Sequence, residues 1–264
     1  MTLQHKRLGS TDLMVSVIGL GTVKLGRNTD VKYPDSFTIP DDAQAANLLS
    51  LAQDLNINLL DTAPAYGNSE ERLGHLLRGQ RDRWVIVGKA GEEYDHQQST
   101  YNFTRQHIMQ SIKRSLQRLR TDYIDLLLIH SDGNDEHIIN NFDVFNTLDD
   151  AKQQGLIRYS GMSTKTVTGG LLTLQHSDVA MVTHNPSYTE ELPVIEQAAK
   201  SHKGILIKKG FASGHLNKLG EQNPVQAAMD FILAEPGISS IIVGTINPKH
   251  LSENAACATQ ALKK

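Results

Sequence analysis

The chain is 264 residues long and carries 26 Lys and Arg against 29 Asp and Glu, for a formal net charge of -3. A charge so evenly balanced leaves no footprint for nucleic acid, no stretch approaches the roughly 18 apolar residues of a membrane span, and the opening MTLQHKRLGSTDLMV has no secretory apolar run. Cys257 is the only cysteine, which rules out an intramolecular disulfide or a thiolate metal cage, so the expectation is a cytoplasmic protein with no obligate protein partner and no metal.

In chain order, residues 3–8 and 13–17 flank Gly9-Ser10-Thr11-Asp12 and predict a β-hairpin. Short apolar runs then recur at 16–20, 57–60, 84–88, 124–129, 157–161, 179–183, 204–208 and 239–243, each of strand length. Between them, 43–55, 104–119, 142–154, 192–202 and 224–234 carry apolar residues at helical spacing. Strand and helix alternating in this way signal a parallel sheet, and the length suits one α/β barrel of about 250 residues. The predicted fold is a (β/α)8 TIM barrel, one domain over residues 1–264, with the N-terminal hairpin closing the barrel floor. The polar stretch 27–40 is the longest irregular segment and is expected at the rim of a pocket.

Active sites of such barrels are built from loops at the carboxyl ends of strands. Three successive strands here lead into ionisable residues, Asp61, Lys89 and His130, and Tyr66 follows in the loop after Asp61. A phenol is a poor acid at neutral pH unless a neighbouring cation favours its anion. Tyr66 beside Lys89, with Asp61 holding the ammonium, would make a proton donor for a developing alkoxide. Each residue has a plainer reading by itself: a turn cap for Asp61, an exposed charge for Lys89, a satisfied loop histidine for His130 and a packing residue for Tyr66. No side chain in the set can supply electrons repeatedly, so reduction of a carbonyl needs hydride from a bound cofactor, and a nicotinamide is the economical choice. Gly19-Leu20-Gly21-Thr22 lacks the third glycine of the dinucleotide fingerprint, which argues against a Rossmann site. The loops after the seventh and eighth strands, 208–214 and 244–250, are better placed for a phosphate. In the second, Asn247 can cap a helix opened by Pro248, and the free N–H groups there suit an anion. An ordinary capped helix is an equal alternative for that loop.

Four stretches, LGSTDLMVSVIGLGT (8–22), DTAPAYGNSEERLG (61–74), VGKAG (87–91) and SLQRLRTDYIDLLLIH (115–130), make the chain resemble the aldo-keto reductase family nearly end to end, as a short bacterial-type member. The resemblance implies a barrel that uses NADPH, or else NADH, to reduce aldehydes or ketones to alcohols, with a small carbonyl compound as its partner. It implies Tyr66 as proton donor, Lys89 lowering the tyrosine pKa, Asp61 pairing with Lys89, and His130 orienting the carbonyl. For the coenzyme it points to Gly21, Thr22, Ser163, Thr164, Met181, Lys208, Phe211, Ser213, Gly244, Thr245, Asn247, His250, Glu253 and Asn254. Four of these depart from the usual family residue: Thr164 stands for an asparagine, Met181 for a glutamine, Lys208 for a stacking tyrosine and His250 for a phosphate-clamping arginine.

With Lys264 soon after the last helix, an open pocket walled by Val23, Lys24, Tyr33 and Phe37 is expected, and with it broad activity on small aldehydes, reactive ketones or dicarbonyls. Two other classes stay open. One is a nucleotide-sensing regulatory subunit of the same fold with little turnover. The other is a metal-dependent hydrolase or lyase using His130, Asp132, Asp135 and His137, for which solvated loop charges are the plainer account.

Overall fold

The computed structural model of the protein describes residues 3–31, 33–214 and 223–263. Strands His5–Arg7 and Met14–Ser16 pair antiparallel, and the Leu8 N–H closes the turn by donating to Leu13 O at 2.9 Å. Gly9 is required in that turn: its φ is +58°, and a Cβ there would strike the backbone of Lys203 and Gly204.

Eight of the described strands from Ile18 onward close into a parallel barrel in chain order. They are Ile18–Gly21, Leu59–Asp61, Val85–Ala90, Ile124–His130, Ile157–Ser163, Val179–Thr183, Gly204–Lys208 and Ser240–Val243, the last pairing back onto the first. The expected TIM barrel and its hairpin are therefore present, with strand ends displaced by a residue or two. The helices follow their amphipathic patterns. Arg105–Leu119 buries Ile108, Ile112, Leu116 and Leu119, is capped by the Thr104 side chain on the His107 N–H, and stops where Arg120 turns left-handed.

Alternation along the strands positions the site. Successive side chains point to opposite faces, so on the fourth strand Leu126 and Leu128 pack inside the barrel while Leu127 and Ile129 pack outward under the helices. The inner cluster also holds Leu59, Val87, Val179, Met181 and Leu206, and below them Leu8, Leu13 and Val15 of the hairpin stopper the floor. Burying one such side chain contributes about 1.5–3 kcal/mol. One further inward step, two residues on, leads from Leu59 to Asp61, Val87 to Lys89, Leu128 to His130, and Leu206 to Lys208. The period that builds the apolar plug thus ends in a ring of polar groups at the carboxyl rim.

Elements without a counterpart among the predicted ones include a second hairpin, Glu92–Asp95 with Gln98–Tyr101, and the helices Val23–Gly26, Ser69–Leu76, Asp135–Asn141 and Val167–His176. The hairpin stands above the rim between the third strand and its helix. Described residues of the stretch 27–40 lean across the mouth from the other side, so that a Cβ added to Gly244 would meet Tyr33 Oη at 2.5 Å. None of the described helices is long and apolar enough to cross a membrane.

Candidate active site

Asp61, Tyr66, Lys89 and His130 come together at the carboxyl rim. The Lys89 ammonium, 1% exposed, donates to Asp61 Oδ1 and to Thr62 O at 3.1 Å. Tyr66 Oη donates to the other oxygen, Asp61 Oδ2, at 3.2 Å, so one carboxylate serves both groups. Lys89 Nζ also lies 4.8 Å from the centroid of the Tyr66 ring, and the His130 ring stands edge-on to that ring at 6.3 Å. The loop carrying Tyr66 is seated by two glycines packed face to face. A Cβ on Gly26 would collide with Tyr66 O and Ser69 N, and one on Gly67, whose φ is +63°, would collide with Gly26 O.

Burial first, and then the Asp61 carboxylate, push the Tyr66 phenol well above its ordinary range. This runs opposite to the expectation that Lys89 lowers it. The physical reason is chiefly the burial of the phenol, with the Asp61 carboxylate that accepts from its hydroxyl adding to it. Burial also pulls the His130 imidazole down, aided by the Lys89 and Lys208 charges and opposed by Glu92. His130 Nδ1 is buried and lies 2.8 Å from Glu92 Oε2, at ion-pair distance though not aligned as a linear hydrogen bond.

From Tyr66 a cleft of about 740 Å³ runs over the ends of the first, eighth and seventh strands to the last helix. Of the residues expected at a coenzyme, Phe211, Gly244, Thr245, His250, Glu253 and Asn254 line it, together with Lys24, Arg27, Tyr33 and Lys209. Asn247 does cap the helix Pro248–Ala261, accepting from the Lys249 N–H at 2.9 Å. Ser163 and Lys208 meet in the barrel mouth, where Lys208 Nζ donates to Ser163 Oγ at 2.9 Å and also to Thr164 O. Thr164 Oγ1 is buried without a partner among the described residues. The others stand apart from the cleft wall. Thr22 is buried in bonds to Asp61 O and Ser69 Oγ, Met181 belongs to the inner apolar cluster, and Gly21 ends the first strand against Ile242. The side chain of Ser213 lies outside the described residues.

The cleft suits a dinucleotide on its own features: a course from Tyr66 over the strand ends to the last helix, a bare glycine wall at Gly244 faced by the Tyr33 hydroxyl, and a capped helix start beside His250. Among the described residues, no three His, Cys, Asp or Glu side chains converge as metal ligands. Asp135, one of the loop acids, is committed to Ser131 and to the N–H groups of Lys165 and Thr166.

Residues 17–202 match the Aldo/keto reductase family. The chain belongs to that family. A crystal structure from Pseudomonas aeruginosa, assigned to the aldo-keto reductases, is 54% identical with a TM-score of 0.91 and covers 99% of this chain and 98% of its own. An uncharacterized oxidoreductase of Bacillus subtilis is 26% identical over 97% of this chain and 91% of that protein. L-galactose dehydrogenase of Arabidopsis thaliana is 26% identical over 98% of this chain and 89% of its own length.

Within this aldo/keto reductase, sequence reasoning passed over two groups at the rim. Glu92 was missed because its hairpin is polar and offers no apolar alternation. Its one signal is place, three residues past Lys89 and just after Gly91. Arg27 was read only as the start of the irregular stretch. It proves to be a buried clamp, bonding Ala65 O beside Tyr66 at 3.0 Å, pairing with Asp30, and stacking on Tyr94 of the hairpin at 3.4 Å.

Proposed function

We propose that this aldo/keto reductase reduces small aldehydes and ketones to alcohols with a reduced nicotinamide dinucleotide, Tyr66 giving the proton, and that it does so as a single-domain cytoplasmic protein. The observation that carries the reading is the sharing of the Asp61 carboxylate by Tyr66 and Lys89 at the head of the long cleft. Gly244, Thr245, His250 and Asn254 would hold a reduced dinucleotide, which would supply the hydride.

The residues at that end divide the remaining work. A raised phenol pKa keeps Tyr66 fully protonated until a stronger base appears, and an alkoxide forming beside it is such a base. The bond of Tyr66 Oη to Asp61, at 3.2 Å, is long and is given up readily to a carbonyl oxygen. Once the proton has left, the Lys89 ammonium near the ring face offsets the charge on the phenolate. Asp61 and Thr62 O hold Lys89 in place and keep a buried cation tolerable. His130 shares the mouth and directs the carbonyl oxygen toward Tyr66.

Departures at the cleft bear on the choice of coenzyme. His250 lines the far end where an arginine is usual, and an imidazole lacks the planar, bidentate fork with which a guanidinium grips an extra phosphate. We therefore expect modest discrimination between NADPH and NADH. The experiment is a scan of purified protein with each dinucleotide against a reactive aromatic aldehyde, following loss of reduced-nicotinamide absorbance. Turnover that disappears in Tyr66→Phe supports the reading. Tight binding without turnover would instead point to the regulatory alternative.

A further inference from the structure

We infer that Glu92 is a positioning residue that fixes the proton of His130 on Nδ1, so that His130 offers a hydrogen-bond donor to a carbonyl oxygen only as an imidazolium. The inference rests on the proposed reduction and assigns a role to a residue outside the four discussed above.

The geometry starts with the second hairpin. Glu92 is the first residue of that hairpin and pairs in register with Tyr101, which places its side chain over the end of the fourth strand. There Oε2 lies 2.8 Å from His130 Nδ1. Burial would raise the Glu92 carboxyl, but His130 and then Ser99 and Tyr101 outweigh it and bring it down to about 2. An ionised carboxylate has lone pairs and no proton, so this separation favours the proton on the nitrogen facing it, although the contact is not aligned as a linear hydrogen bond. A neutral imidazole carries one N–H. With that proton on Nδ1, Nε2 is left as an acceptor, able to take a hydrogen bond from an alcohol and unable to give one to a carbonyl. A second proton, taken up from solvent, turns Nε2 into a donor while Nδ1–H still faces Glu92.

The groups around the ring set where that second proton binds. Glu92 favours the cation, Lys89 from the third strand and Lys208 from the seventh disfavour it, burial disfavours it most, and the Tyr66 ring edge is neutral. The balance holds the imidazole below the ordinary histidine range. Carbonyl reduction then grows with acidity, and alcohol oxidation is served by the neutral ring. The same residue therefore favours opposite directions of the reaction at opposite ends of the pH scale.

Two measurements test this. Nitrogen-15 NMR of the histidine ring in the wild-type protein reads the tautomer directly, without substrate or coenzyme. Proton on Nδ1 in the neutral ring is expected, and proton on Nε2 overturns the inference. The second is the pH profile of kcat/KM for aldehyde reduction in wild type, Glu92→Gln and Glu92→Asp. Loss of the carboxylate should move the limb governed by His130 to lower pH by about one to three units, as for removal of a close opposite charge, and Glu92→Asp should recover part of the shift. Superimposable profiles for wild type and Glu92→Gln overturn it. Should the protein show no carbonyl reduction at all, the proposed function falls while the NMR result still decides the tautomer.

Discussion

The Lys89 ammonium sits 4.8 Å from the centroid of the Tyr66 ring while the Tyr66 hydroxyl donates to the Asp61 carboxylate that Lys89 also holds. Cation and phenol are thus coupled through the ring face and a shared carboxylate. Removing the hydroxyl should therefore take away the proton source and leave the charge pair intact. Tyr66→Phe is expected to lower kcat for aldehyde reduction by about 10²–10⁴-fold, the usual worth of a positioned general acid, with dinucleotide affinity within about threefold of wild type. Stopped-flow turnover and fluorescence titration of NADPH check the two halves, and native-level turnover contradicts the assignment.

Lys89→Met poses a different question, since Asp61 is only 3% exposed. A buried carboxylate stripped of its partner is strongly destabilising, by about 3–5 kcal/mol. Urea denaturation should show that loss, and the double variant Lys89→Met with Asp61→Asn should regain much of it. A single variant as stable as wild type would mean that the pair is not held as described.

Burial is the main influence lowering the Lys208 amine to about 7, against its ordinary value of 10.5. The unfolded chain binds this proton more tightly than the folded one, so folding gains stability as pH rises from about 7 toward 10.5 and the cost is at its fullest below about 7. Relative to wild type, Lys208→Met should therefore melt higher at pH 6–7, with the gap narrowing as pH increases to 9.5. A Tm difference that is flat over this range, measured by calorimetry, removes the buried-amine account.

At Gly244 the added methyl of alanine meets the end of the Tyr33 side chain at 2.5 Å rather than any backbone. Tyr33 can swing aside, so Gly244→Ala should cost little stability, less than about 1 kcal/mol, and fall mainly on the cleft. NADPH affinity is expected to drop about tenfold while the Tm barely moves. Gly26→Ala should behave in the reverse way, because its methyl strikes the backbone under Tyr66, and both Tm and turnover should fall.

Much of this architecture could be read from the chain because the barrel obeys a short period. Leu126 and Leu128 announce the inward face, and the same step leads to His130. Asp61, Lys89 and Lys208 follow the same rule. The floor hairpin was legible from Gly9-Ser10-Thr11-Asp12 between two apolar runs. Where the period fails, so does the reading. Glu92 lies on a hairpin of polar residues, Ser69–Leu76 is a helix folded into what looks like loop, and Arg27 owes its role to contacts with Ala65 and Tyr94 that are distant in sequence. The direction of the Tyr66 pKa was also hidden, because it depends first on how deeply the phenol is buried and then on its bond to Asp61.

Leu8, Leu13 and Val15 close the barrel at its floor, and the cleft that begins at Tyr66 lies at the opposite, carboxyl rim. Under the proposed reaction, a dinucleotide and a small carbonyl compound would both approach by that face, so the loops of the carboxyl rim alone would govern what reaches Tyr66.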